Sequence, residues 1–467
     1  MTRADAVAAA QDVFDSGGFV DDLRRLVAIP SESQDPRGAD ALVRYLADAM
    51  RPRLERMGFV CRIVPNPEPE HGPFLIAERH ESDGLPTVLT YGHGDVIRGL
   101  EDRWRDGLAP WSIVEEGDRL YGRGTADNKG QHLVNLTALE AVLAVRGRLG
   151  FNVRAIIEMG EETGSPGLHA LFLAEREALS ADALIASDGP RLAPERPTLF
   201  FGARGGVTMD LAVDLRAGGH HSGNWGGLLA DPGLILAHAL ASITDASGRI
   251  LVPEWRPTSL SNAVRATLAD LALEAPPEGP EIDPEWGEPG LTAAEKVFGW
   301  NSFCVLAFEC GEPARPVNAI QPRAWARVQL RFVVGTDYDD IVPALRRHLA
   351  AQGFGTVTVS ETNRPHFTAT RLDPDDPWAR WAAASVARTT GAPPAMLPNL
   401  GGSLPNEEFA HVLGMPTIWV PHSYAACSQH APDEHALKSV LREGLAIMAG
   451  LWWDLGDPGV PTRSTRP

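Results

Sequence analysis

Five short segments gather histidines and carboxylates beside glycines, each at the end of an apolar run or in a glycine-rich turn. They are YGHGD (91–95), YGRGTADNKG (121–130), EMGEETG (158–164), SDG (187–189) and SQHAPDE (428–434). His93, Asp127, Glu162, Asp188 and His430 are nitrogen and oxygen donors of the kind that zinc takes. At a strand end residues i and i+2 point the same way, so His93 and Asp95 face one site. Two cations side by side need a shared ligand, and a carboxylate bridges where an imidazole ordinarily does not. Glu161, beside Glu162, is then left free to take a proton from a metal-bound water. Singly, each residue also fits a milder role: a satisfied polar histidine, a solvated Glu-Glu pair, an aspartate in a turn. The glycine-rich segment matches neither G-x-x-x-x-G-K-[ST] nor G-x-G-x-x-G, so phosphate binding is disfavoured. Together, the five segments point to metal-assisted hydrolysis.

Such residues must be positioned by regular elements. The apolar runs 87–91, 153–158 and 183–186 read as buried strands, with helical spacing at 131–145 and 168–177 between them. Upstream, 19–29 reads as a helix stopped by Pro30, and 39–57 as a second amphipathic stretch. Strands alternating with helices predict an α/β fold, a mainly parallel sheet flanked by helices, whose sites lie at the carboxyl ends of the strands. Near Gly202 the pattern changes. Residues 206–215 alternate apolar and polar, a Gly/His-rich turn and a helix (234–243) follow, and 302–308 and 324–334 read as further strands. This predicts a smaller α+β domain over 204–369, inserted into a catalytic domain made of 1–203 and 370–467. The Pro-, Glu- and Trp-rich stretch 253–289 reads as an excursion on the surface of that inserted domain. Helical patterns resume from Asp375, 417–420 returns to the main sheet, and the Pro/Arg/Thr-rich end 456–467 reads as mobile.

Bulk composition narrows the class. A chain of 467 residues is too long for one ordinary core, and 44% hydrophobic with 22% charged residues is globular. A formal net charge of −19 opposes nucleic-acid and anionic-membrane binding. The four cysteines form no C-x-x-C pair, which fits a reducing compartment. No basic-then-apolar leader and no run of about 18 apolar residues stands out, so the cytoplasm is the expected location.

The order of the motifs resembles a family of dinuclear zinc metallopeptidases that includes carnosinase, cytosolic non-specific dipeptidases, acetylornithine deacetylase and succinyl-diaminopimelate desuccinylase. The resemblance runs from about Leu23 to Leu451, carried by YGHGDV, LYGRGTADNKG, EMGEETGSPGL, ASDGP, HHSGNWGG, GGSLP and SQHAPDEH, and is nearest the carnosinase-like branch. It implies that His93 and Asp188 hold one metal, Glu162 and His430 the other, and that Asp127 bridges them. It implies Glu161 as general base and later general acid, Asp95 as the partner that orients His93, and a cis peptide after Asp127. His221 matches a histidine that reaches a neighbouring subunit's site to stabilise the oxyanion, which implies a homodimer formed through the inserted domain. Arg331 matches a position that binds a substrate carboxylate, with Asn318 and Ser403 as further candidates for that pocket; an exposed strand arginine is the milder reading of Arg331. The expected cofactors are two divalent ions per chain, zinc, with manganese or cobalt acceptable to the same donors. The expected activity is hydrolysis of an amide or peptide bond in a small substrate, by a dipeptidase or carboxypeptidase, with an N-acyl amino-acid deacylase as the alternative. A non-catalytic binding protein of the same fold is the alternative of another class, opposed by the presence of Glu161 and all five ligands. Asn128 stands where the carnosinase branch has Asp, Gln321 enlarges the turn before Pro322, and Cys427 is either a metal neighbour or a small buried residue.

Overall fold

The computed structural model describes residues 1–273, 280–362 and 367–462. An eight-stranded sheet runs in the order Val60–Val64, Phe74–Arg79, Asn152–Glu158, Thr87–His93, Ala183–Ala186, Thr417–Trp419, Thr198–Phe200, Ala395–Leu397. Its centre is parallel, with Thr87–His93 paired on either side with Asn152–Glu158 and Ala183–Ala186, and Ala183–Ala186 paired in turn with Thr417–Trp419. The first two strands join antiparallel at one edge. The central strands are buried along nearly their whole length, which is why they read as unbroken apolar runs rather than as alternation.

Helices cover both faces. Arg3–Asp15, Lys129–Arg146, Pro377–Thr390 and Lys438–Leu455 contribute to one apolar core, and Leu168–Ala174 packs on the other face. Helix Lys129–Arg146 lies unusually close to the sheet at Gly92, where a Cβ would sit 2.5 Å from the Cβ of His132. Any side chain at position 92 would push the helix, and the loop that leads into it, away from the strand that ends in His93.

A second sheet is wholly antiparallel, in the order Ser302–Glu309, Arg323–Phe332, Gly205–Asp214, Thr358–Glu361. Gly205–Asp214 and Arg323–Phe332 alternate buried and half-buried residues, and their buried faces pack on helices Pro232–Ile243 and Ile341–Ala351. Ala324, Ala326, Val328, Leu330 and Phe332 take the core face, which turns Arg331 to the other side.

Two expectations are corrected and a third is refined. The stretch 253–289 is a surface excursion only in part: residues 280–286 are exposed, but preceding residues are built into the cores. Trp255 is fully buried and its Nε1 donates to the Ile341 carbonyl at 2.9 Å, while Val264, Leu268 and Leu271 join Phe200, Leu397 and Trp419 in the core of the large sheet. Helix Asn262–Leu268 places Val264 and Leu268 on one face, a spacing hidden by the Pro and Glu around it; residues 274–279 of this stretch lie outside those described. The helix expected over 168–177 is broken at Glu175 into Leu168–Ala174 and Arg176–Leu179. The amphipathic stretch 39–57 is helix Ala39–Arg44, a π-helical turn Tyr45–Met50 and helix Arg51–Arg56, with Pro52, which has no N–H to give, in its first turn. Of the expected mobile end, residues 463–467 lie outside those described.

Candidate metal centre

Three neighbouring parallel strands deliver the site at their carboxyl ends. Thr87–His93 ends in His93, Asn152–Glu158 leads into the 3-10 turn Glu161–Thr163, and Ala183–Ala186 leads to Asp188. Asp127 comes from the loop before helix Lys129–Arg146, and His430 from the loop before strand His435–Leu437. The structure brings all six together. Asp127 Oδ1 lies 3.0 Å from His93 Nε2, and its Oδ2 lies 3.1 Å from His430 Nε2. Glu162 Oε2 is 3.0 Å from His430 Nε2, while Asp188 Oδ2 and Glu161 Oε2 are 3.6 and 3.9 Å from His93 Nε2. Two ligand sets follow, His93–Asp127–Asp188 and Asp127–Glu162–His430, each with donor atoms within 4.8 Å of one another and with Asp127 in both.

The electrostatics of this donor set fit cations. Burial, reinforced by Glu162, Asp188 and Asp127, pushes the Glu161 carboxyl well above the usual range. Burial and Asp127 push Glu162 up to about 7 and Asp188 to about 6. Burial would also raise Asp127, but its bonds to His430 and His93 hold it well below the usual range. Burial disfavours a charged His93, yet the bonds to Asp127 and Asp95 lift it well above an ordinary imidazole; bonds to Asp127 and Glu162 lift His430 to about 11. Four carboxylates thus compete for the charge of two imidazoles. Asp188 Oδ2 is fully enclosed and has no hydrogen-bond partner among the described residues, a costly arrangement for a lone carboxylate oxygen and an ordinary one for a metal ligand.

Asp95 supports the centre in two ways. His93 Nδ1 lies 3.1 Å from the Asp95 carbonyl oxygen and 3.5 Å from its carboxylate, which leaves Nε2 facing Asp127. The Asp95 carboxylate also accepts the N–H groups of Glu161 and Glu162, at 3.2 and 3.1 Å, and so fixes the turn that carries both. The peptide bond between Asp127 and Asn128 is cis, as the resemblance implied.

Sequence reasoning missed two further parts. Glu434, fully buried, accepts the N–H groups of Gly124, Ala126 and Asp127 at 3.0 to 3.1 Å through Oε1 and the Arg123 guanidinium at 2.8 Å through Oε2. It holds the Asp127 loop in shape. Gln429 donates to Asp127 Oδ2 beside His430. Glu434 was readable only as one more acid in the SQHAPDE string; its place beside Tyr121, set by the pairing of the next residue, His435, with Tyr121, is not a sequence signal. Cys427 is fully buried against Ala126 and Tyr424, and burial pushes its thiol up to about 12, so it is a core residue.

A cleft of about 500 Å³ opens over Asp127, Glu161, Asp188 and His430 and is lined also by Arg331 and Ser403. Arg331 Nη1 donates to Ser403 Oγ at 3.1 Å, and Ser403 donates to the Arg204 carbonyl at 2.8 Å. His221 and Asn318 do not line it. His221 is exposed and pairs with Ala319 in a two-stranded ribbon, and exposed Asn318 accepts the Ser222 N–H at 3.0 Å.

The family model described as peptidase family M20/M25/M40 matches residues 89–454, most of the chain. The chain belongs to this peptidase family. Among its relatives, the β-Ala-His dipeptidase of Mus musculus is 34% identical over 251 residues, which are 50% of this chain and 50% of the relative. The chain thus spans about half the length of that curated relative. The cysteinylglycine-S-conjugate dipeptidase of Corynebacterium striatum is 27% identical over 402 residues, 82% of this chain and 83% of the relative. The solved dipeptidase Dug1p of Saccharomyces cerevisiae superposes with a TM-score of 0.77 at 22% identity, over 98% of this chain and 100% of that one; the likeness is one of fold. Among the described residues no helix is long and apolar enough to cross a membrane.

Proposed function

We propose that the protein is a metal-dependent peptidase acting on small peptides, as a dipeptidase or carboxypeptidase. The observation that carries this is the pair of ligand sets joined at Asp127, with Glu161 beside them and Arg331 across the same cleft. In this reading His93 and Asp188 hold one divalent ion, Glu162 and His430 the other, and Asp127 lies between them, with zinc as the expected metal. When bound, the two ions supply Lewis acidity to the scissile carbonyl and to the attacking water. Glu161, whose proton affinity is raised by burial among carboxylates, takes the proton of the attacking water and returns it to the leaving amine. Arg331, held by Ser403, anchors the terminal carboxylate of the peptide.

His221 enters as a donor to the oxyanion of a second copy's substrate, and residues 204–369 form the unit through which two copies pair. Its exposure away from its own cleft supports this, as does the exposed edge strand Ser302–Glu309 with Val305, Leu306 and Phe308 on its surface. Mixing an inactive Glu161→Gln chain with an inactive His221→Ala chain restores activity if the sites are shared, and restores none if each chain is self-sufficient. The peptidase reading itself is tested by hydrolysis of a panel of dipeptides and N-acetyl amino acids before and after chelation. Dipeptide cleavage lost with the metal and regained with zinc or manganese is the expected result; cleavage of the N-acetyl compounds alone would move the assignment to a deacylase.

A further inference from the structure

Leu273, from the stretch that the sequence presents as a surface excursion, and Phe298, shortly after that stretch, help to form one wall of the cleft, and the wall is apolar. Beyond the metal ligands, Glu161, Arg331 and Ser403, the cleft is bounded by Leu192, Leu273, Phe298, Leu397, Leu400 and Leu404. Phe298 closes helix Ala293–Phe298, and Leu273 follows helix Asn262–Leu268. The first helix is fixed by a capping box at Thr292 and by the ion pair of Glu295 with Arg265 on the second. It also seats the loop of Ser403: a Cβ on Gly401 would stand 3.2 Å from Val297 Cγ1 and 3.8 Å from Phe298 Cε1. Arg191 lines the same region; its Nη1 is taken up by Glu443 and the Pro194 carbonyl and its Nε by the Pro421 carbonyl, while Nη2 is buried without a hydrogen-bond partner among the described residues.

We infer that this wall selects peptides in which one of the two residues carries a bulky aliphatic or aromatic side chain. The inference rests on the peptidase reading. A charged side chain laid on six apolar residues would lose water without gaining a partner, whereas an apolar one buries surface on both sides. The polar end of the cleft, from Arg331 to the metal ligands, fixes the peptide backbone, and the leucines and Phe298 then rank its side chains.

The test uses the metal-loaded enzyme with Gly-X and X-Gly dipeptides, X being Gly, Leu, Phe, Asp or Lys. At one of the two positions kcat/KM is expected to be at least about 10-fold higher for Leu or Phe than for Gly, and lowest for Asp and Lys. Leu273→Ser, at a half-buried position at the edge of the large-sheet core, and Phe298→Ala should each move the Leu-to-Gly ratio towards one. A flat series in the wild-type enzyme, or a ratio unmoved in both variants while thermal melting shows them folded, would overturn the inference and leave the peptidase reading standing. Hydrolysis of no dipeptide with metal restored would sink that reading, and the inference with it.

Discussion

His93 and His430 meet the same aspartate from opposite kinds of backbone. His93 ends a strand packed on both sides, its side chain is 0% exposed, and Asp95 fixes its ring. His430 sits in a loop with φ 61°, between Ser428 and Asp433, which share that left-handed conformation, and its side chain is 54% exposed. Such φ values cost a non-glycine residue about 1–3 kcal/mol each and persist where the surroundings enforce them. The carboxylate partners repeat part of the contrast. Asp188 sits beside His93 at the foot of the sheet, whereas Glu162 meets His430 from a short turn that Asp95 holds by two N–H bonds. One half of the centre is thus a fixture of the sheet, and the other is a clasp that opens to the cleft.

The largest expected effect concerns what serves both halves. Glu161→Gln should lower kcat by about 10²–10⁴-fold while the metal content stays at the wild-type value; near-normal turnover would remove Glu161 from the chemistry. The next effect separates the halves. In a competition with a metal chelator, wild-type protein should release its two ions in two phases, the faster from the His430 half. His430→Ala should abolish the fast phase and keep the slow one, and His93→Ala should disturb both, because the buried half also orients the shared Asp127. Release in a single phase from the wild type would erase the distinction drawn between fixture and clasp.

The smallest effect probes the floor under both. Glu158, buried beneath the site and bonded by Tyr91 and Ser165, is pushed by burial from 4.5 up to about 7. The folded protein therefore holds a proton there that the unfolded chain has released above pH 4.5. Stability from this group is fully present below pH 4.5 and is lost as pH rises to about 7, an order-of-magnitude loss of about 3 kcal/mol. In metal-stripped protein, Glu158→Gln should flatten the fall of melting temperature over that window. An unchanged slope would mean that the carboxyl is ionised in the folded state.

Much of the buried half was legible because its residues follow apolar runs: His93 comes just after 87–91 and Asp188 just after 183–186. Arg331 was legible only through the family resemblance, since by itself it reads as an exposed arginine on a strand. What the chain order does not display is support at long range. Glu434 acts on Gly124, Ala126 and Asp127, about three hundred positions away, and in sequence it is one acid in an acid-rich string. The wall of the cleft was hidden for a different reason: Phe298, and the Val264 and Leu268 that pack in the core behind it, lie on helices too short to show a period amid Pro and Glu. His221 and Asn318 show the converse. Their motif is plain in the sequence, and the fold keeps both outside their own cleft.

Whether one aspartate joins two metal positions is decided by metal analysis of Asp127→Ala beside the wild type. Plasma mass spectrometry should find about two zinc or manganese ions per wild-type chain and almost none in the folded variant, since each ligand set drops to two donors. A variant that still carries two ions would contradict the account, because Asp127 would then belong to neither position.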